Sequence, residues 1–168
     1  LKDKAYVMNV VAHYRKELDA VLSGKDESTL RAAASGSIAF DFAPDPAKTF
    51  NRGFTTYFLR GRGDALTAWD TPKSVGEPLG RVASLSGRAF TLETPADLHP
   101  GDGLCWLPAR TTGALNPDAG RELLGAQVQR VEGRLVFPSR SDGLAPGVQI
   151  YRNHDHAFLT ALEKSKAE

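Results

Sequence analysis

The residues best suited to chemistry lie close together in FNRGFTTYFLRGR, positions 50–62. Gly53 permits a positive φ, so an Asn-Arg-Gly turn can aim backbone N–H groups and the Arg52 guanidinium at one anion. Thr55 adds a hydroxyl, and Arg60 and Arg62 add two planar forks suited to phosphate or carboxylate. Lys73 extends the same run. Over residues 46–88 there are seven basic residues against three acidic ones, a surplus of four, while the whole chain carries only +1. Arg52, Thr55, Arg60, Arg62 and Lys73 are therefore the candidate contacts for a phosphate-bearing partner. The stretch also admits a plainer reading, in which Phe50, Phe54, Tyr57 and Phe58 pack as a connector and the arginines cap carbonyls. Composition leaves both open.

Three other groups point away from chemistry. HPGDGL at 99–104 lacks the Lys-Ser/Thr of a phosphate loop and opens no helix, so it reads as a tight turn between strands. His154 and His156 are spaced as a strand metal pair would be, but they fall where a helix begins. Asn153 or Asp155 then reads as an N-cap, and no metal site is expected. Cys105 stands between Leu104 and Trp106, the setting of a buried, unreactive thiol. One cysteine excludes an internal disulfide and any Cys-only metal or iron–sulfur site. No Gly-x-Ser-x-Gly elbow occurs, and no catalytic residue is expected within the chain.

The elements that must position these residues follow from periodicity. Val7, Val10, Val11, Tyr14, Leu18, Val21 and Leu22 predict an amphipathic helix over 3–22, capped by Asp3 and stopped at Gly24. A shorter helix is expected from Glu27 to Ala34, opened by Asp26 and closed by Gly36. Pro44 and Pro46 rule out regular helix next, so a long irregular connector leads through the basic stretch. From Val75 the pattern becomes short strands. GRVASLSGRAFTLE and AQVQRVEGRLVFPS read as hairpins turning at Ser86-Gly87 and Glu132-Gly133, with further strands in GDGLCWLPA and GVQIYRN. Five or six short strands in about 80 residues favour a small antiparallel barrel, which removes exposed edges. A helix over Asp155–Lys164 closes the chain. The expected class is α+β, mostly β: a helical segment (1–42), a basic connector (43–74) and a small barrel with its closing helix (75–168). No apolar run reaches the roughly 18 residues a membrane span requires, and no signal peptide is evident, so a reduced, cytoplasmic setting is expected. The chain enters its first helix directly from Leu1, the pattern expected of a piece of a longer protein.

Read together, LKDKAYVMNVVAHYRKELDAVL, PDPAKTFNRGFTTYFLRGR, TPKSVGEPLGRV, PGDGL and GVQIYRNHDHAFLTAL resemble, in this order, the C-terminal part of the collagenase-like peptidases, family thirty-two among peptidases of unknown catalytic type. The likeness is strongest to the long branch of that family, which includes hydroxylases of a 23S rRNA cytidine. It implies a (β/α) barrel upstream of Leu1, holding an iron–sulfur cluster on four cysteines. Cys105 matches none of them, so this chain would carry no cofactor itself. The resemblance implies an accessory domain whose partners are the upstream catalytic domain and ribosomal RNA, and the basic stretch supplies Arg52, Thr55, Arg60, Arg62 and Lys73 as the candidate contacts. The alternative it implies is a substrate-recognition domain of a peptidase, with peptide lying along Trp69, Trp106 and Tyr151.

Overall fold

The computed structural model describes residues 2–22, 40–51, 53–55, 59, 61, 73–109 and 122–165. Helix α1 runs over Lys4–Leu22. Asp3 caps it as the sequence predicts, its carboxylate accepting the Tyr6 N–H at 2.7 Å. A 3-10 turn follows at Pro46–Lys48, with Pro46 in the first turn and the Asp45 carboxylate accepting the Ala47 N–H at 2.9 Å. The expected helix over Glu27–Ala34 lies outside the described residues.

Six antiparallel strands then close into a barrel: β1 (Glu77–Ser86), β2 (Ala89–Leu92), β3 (Gly103–Trp106), β4 (Leu124–Glu132), β5 (Leu135–Pro138) and β6 (Gln149–His154). Around the barrel the order is β1-β2-β5-β4-β3-β6. Two long strands turn the corners. β1 gives its first half to β6 and its second half to β2. β4 does the same for β3 and β5. The register slips within both, between Pro78 and Gly80, Val82 and Ser84, and Val128 and Arg130. Such bulges bend and twist a strand, which lets short strands close a tight barrel.

Both hairpins form, with loops at Gly87–Arg88 and Gly133–Arg134, one residue later than the sequence suggested. Each opens on a glycine at positive φ, 60° and 59°. The turn is placed by the residue that can adopt the left-handed conformation, not by the serine or glutamate before it.

The core is Val82, Phe90, Leu92, Leu98, Leu104, Trp106, Val128, Val136, Leu144, Val148 and Ile150. Trp106 is fully buried, and its indole N–H donates to the Asp142 carbonyl at 3.0 Å. Helix α2 (His156–Lys164) follows β6 and packs on α1, with Ala12 and Leu162 buried. Among the described residues no helix is long and apolar enough to cross a membrane.

Candidate functional site

Three polar assemblies tie the connector to the rest of the fold. The first is Asn9, fully buried on α1. Its amide donates to the Asp45 carbonyl at 2.6 Å and accepts the Asp45 N–H at 2.8 Å, and it also reaches the Thr49 hydroxyl at 3.1 Å. Thus the face of α1 that carries Asn9 and Ala12 docks inward. Val7, Val11, Tyr14, Leu18 and Val21, at alternating four- and three-residue spacing, remain 50–66% exposed.

The second is Asn51, the first described residue of the NRGF motif. Its amide donates to the carbonyls of Ala47 (2.8 Å) and Thr49 (3.2 Å), and its side-chain oxygen accepts the Gly53 N–H at 3.2 Å. Its backbone N–H meets Ser74 Oγ at 3.1 Å, and its carbonyl accepts the Val75 N–H at 3.1 Å. Residue 51 and residues 74–75 are therefore joined, so the basic segment leaves and returns at one place. Thr55 and Lys73 are exposed near its two ends. Arg52, Arg60 and Arg62 lie outside the described residues, so the geometry of the five candidate contacts as a group is not seen.

The packed-connector reading fails at one described aromatic. Phe54 is 70% exposed, and Phe50 is partly exposed with the Lys2 ammonium 3.0 Å from its ring centroid. The aromatic peptide face fails as well. Trp106 is inside the barrel and Tyr151 is half-buried, while Trp69 lies outside the described residues. Trp106 pairs with Leu124 of β4 and, two residues from Leu104, shares its core-facing side of the strand.

The third assembly is ionic and was not anticipated. Arg152, in the YRN stretch of β6, is 7% exposed. Its Nε and Nη2 donate to Glu77 Oε2, at 3.0 and 2.6 Å. Its Nη1 reaches the Asp97 carbonyl at 2.9 Å and Asp102 at 3.4 Å, and Nη2 lies 3.3 Å from Asp155. Burial alone would favour loss of its proton, but the Glu77 hydrogen bond and the charges of Asp155, Glu77 and Asp102 raise its pKa above the ordinary value.

Asp102 is the fully buried partner, and it explains HPGDGL as a turn. Its carboxylate accepts the N–H of His99 and of His156, both at 3.0 Å, tying the turn to the start of α2. Asp155 is the N-cap of α2, accepting the Phe158 N–H at 3.0 Å, and its other oxygen meets Lys48 Nζ at 2.7 Å. Burial would raise its pKa, yet the Lys48 hydrogen bond, the Phe158 N–H and the two cations hold it below the ordinary carboxylate value. With Asp155 so engaged, the His-Asp-His stretch is a helix cap, and among the described residues no group of three or more His, Cys, Asp or Glu is placed to hold a metal. Cys105 is buried, donates to the Val75 carbonyl at 3.3 Å, and burial pushes its thiol up to about 11. It is protonated and inert at neutral pH.

Above this network opens a cleft of about 820 Å³. The connector (Phe42, Pro44, Lys48), β1 (Glu77), the β2–β3 loop (Asp97, His99) and α2 (Phe158) form its walls.

Residues 1–68, which include α1 and the connector's first turn, match the family model described as peptidase family U32. This part of the chain is similar to peptidase family U32. The match stops before β1, so it leaves the barrel out. A curated relative reaches further. The 23S rRNA 5-hydroxycytidine C2501 synthase of Escherichia coli (strain K12) is 32% identical over 176 aligned residues, covering 99% of this chain and 25% of that protein. This chain spans about a quarter of that relative's length. No solved structure matches it.

Proposed function

We propose that this chain is the accessory, RNA-facing part of a U32 enzyme that modifies ribosomal RNA, and that it is not catalytic alone. The observation that carries this is the 32% identity to an rRNA-modifying synthase, which extends from the family-matched helix through the whole barrel to α2. In this reading the described barrel and α2 (77–164) form one unit, and α1 belongs with an upstream catalytic domain of the same cytoplasmic protein. The five exposed apolar side chains of α1 support that placement, since a helix that buries asparagine and exposes valine has its apolar partner elsewhere. A four-thiolate iron–sulfur cluster would have to sit in that upstream domain: the lone thiol here is buried and protonated.

Arg52, Thr55, Arg60, Arg62 and Lys73 are the proposed RNA contacts, on a segment whose base Asn51 fastens. The test is nucleoside analysis of 23S rRNA from cells carrying the intact full-length gene, no gene, or the gene with Arg52, Arg60 and Arg62 changed to Ala. A hydroxylated cytidine should vanish without the gene and fall at least tenfold with the triple variant. An unchanged nucleoside profile in cells without the gene would end this reading. The peptidase-recognition alternative loses its main support with Trp106 buried.

A further inference from the structure

We infer that the cleft between the connector, β1, the β2–β3 loop and α2 is a binding site for a single unstacked nucleobase. Its volume, about 820 Å³, lies within the range of small-ligand sites. The charge of its walls excludes the more obvious anion. Lys48 and Arg152 face four carboxylates: Asp45, Glu77, Asp97 and Asp155. Arg152, moreover, is committed to Glu77, Asp97, Asp102 and Asp155. A phosphate entering the cleft would meet one lysine and a surplus of negative charge.

Two groups on the floor remain for a ligand. Among the described residues Lys48 Nζ donates only to Asp155, which leaves it further N–H donors. Both Arg152 contacts to Glu77 use Oε2, which leaves Oε1 as an acceptor. A donor and an acceptor on one floor match a base edge in which an N–H or an amine adjoins a ring nitrogen or carbonyl, and glutamate is a known kind of partner for an exocyclic amine. The flat wall is Phe158, set edge-to-face against Phe42 at 6.3 Å and 81°. Ala157 and Ala161 line the same side and keep it low enough for a ring to lie down. A guanidinium or ammonium from a basic peptide is the competing occupant of an acidic cleft. The cationic position near Phe158 is already held, however, by Lys48 Nζ, 5.4 Å from the ring centroid. A neutral ring fits beside that cation where a second cation would be repelled. Single-stranded RNA is read in this manner, with bases stacked on aromatics and hydrogen-bonded at their edges.

This inference rests on the RNA-facing reading, and its test is chosen to fail separately from it. The whole chain is titrated with cytidine, adenosine, uridine, N-acetyl-arginine amide and inorganic phosphate while the amide resonances of Lys48, Phe158 and Ala161 are followed. The three nucleosides should shift them, with phosphate without effect. Ala161→Trp fills the cleft from an exposed position without touching the ionic floor, and should weaken cytidine at least tenfold at an unchanged melting temperature. Ala157→Leu narrows the same wall and should act in the same direction if Ala161→Trp perturbs α2. Absence of nucleoside shifts, binding of the arginine amide in their place, displacement by phosphate, or full cytidine binding in both filled variants would overturn the proposal. Nucleoside shifts in the cleft together with unaltered rRNA in gene-deleted cells would leave the cleft standing and remove the rRNA reading.

Discussion

Arg152 and Asp155 stand three residues apart and join four parts of the molecule: β1 through Glu77, the 99–102 turn through Asp102, the connector through Lys48, and α2 through its cap. Buried charges of this kind are costly to separate, because the survivor is left without a counter-ion. Their effect on stability has a definite pH sign. The folded pKa of Asp155 is depressed, so its stabilising contribution is complete above the unfolded value of about 4 and disappears as pH falls through the lower folded value. The melting temperature should therefore be level from pH 7 to 5 and drop below pH 4. In Asp155→Asn it should be lower at pH 7 and fall less steeply in acid. Equal acid slopes in the two proteins, measured by circular dichroism melts, would show that Asp155 carries none of the effect. Little of this was legible in the sequence. The Asp155 cap is local and was seen as one of two options. Arg152, Glu77 and Asp102 find one another across 50 to 75 residues, and nothing in their spacing announces it.

At the scale of elements, α1 is the anomaly. Its heptad-like row of Val7, Val11, Tyr14, Leu18 and Val21 was plain in the sequence as an apolar stripe. What the sequence did not show is which side faces the barrel unit. Asn9 decides it, since an amide that matches both polar groups of Asp45 fixes the helix by the side that carries Asn9 and Ala12. Leaving such a buried pair unmade costs on the order of 1–3 kcal/mol. The chain on its own should therefore self-associate through the exposed row. Val11→Lys with Leu18→Lys should move it toward a monomer in sedimentation experiments and leave the melting temperature of the barrel nearly unaltered. A monomeric parent chain would contradict this. The strands were more legible than the helix's orientation. Period-two patterning and glycine turns marked both hairpins to within one residue, because local twist and positive φ leave few alternatives.

At the scale of the whole molecule, charge is unevenly placed. The near-neutral total hides a basic stretch of sequence between Asn51 and Val75, while the cleft between the connector and α2 is acidic. RNA held by the segment should respond to salt, and the response can be counted. Each phosphate contact on a single strand adds about 0.7 to the slope of log affinity against log salt. Changing Arg52, Arg60 and Arg62 to Ala should then reduce the slope by roughly 2. A slope that stays the same in the triple variant, read by fluorescence anisotropy on an unstructured oligonucleotide, would remove these arginines from the interface.

The barrel's first and last strands are neighbours, paired from Glu77↔Arg152 to Arg81↔Gln149. At their junction Gly76, at φ 79°, lies so close to the next strand that any side chain would strike the Arg152 carbonyl. The chain thus enters and leaves the barrel through one narrow doorway. Entry and exit at neighbouring strands are the geometry in which a unit can sit within a host loop without pulling the host's two ends apart. Gly76 is a residue of that doorway that no residue with a side chain can replace.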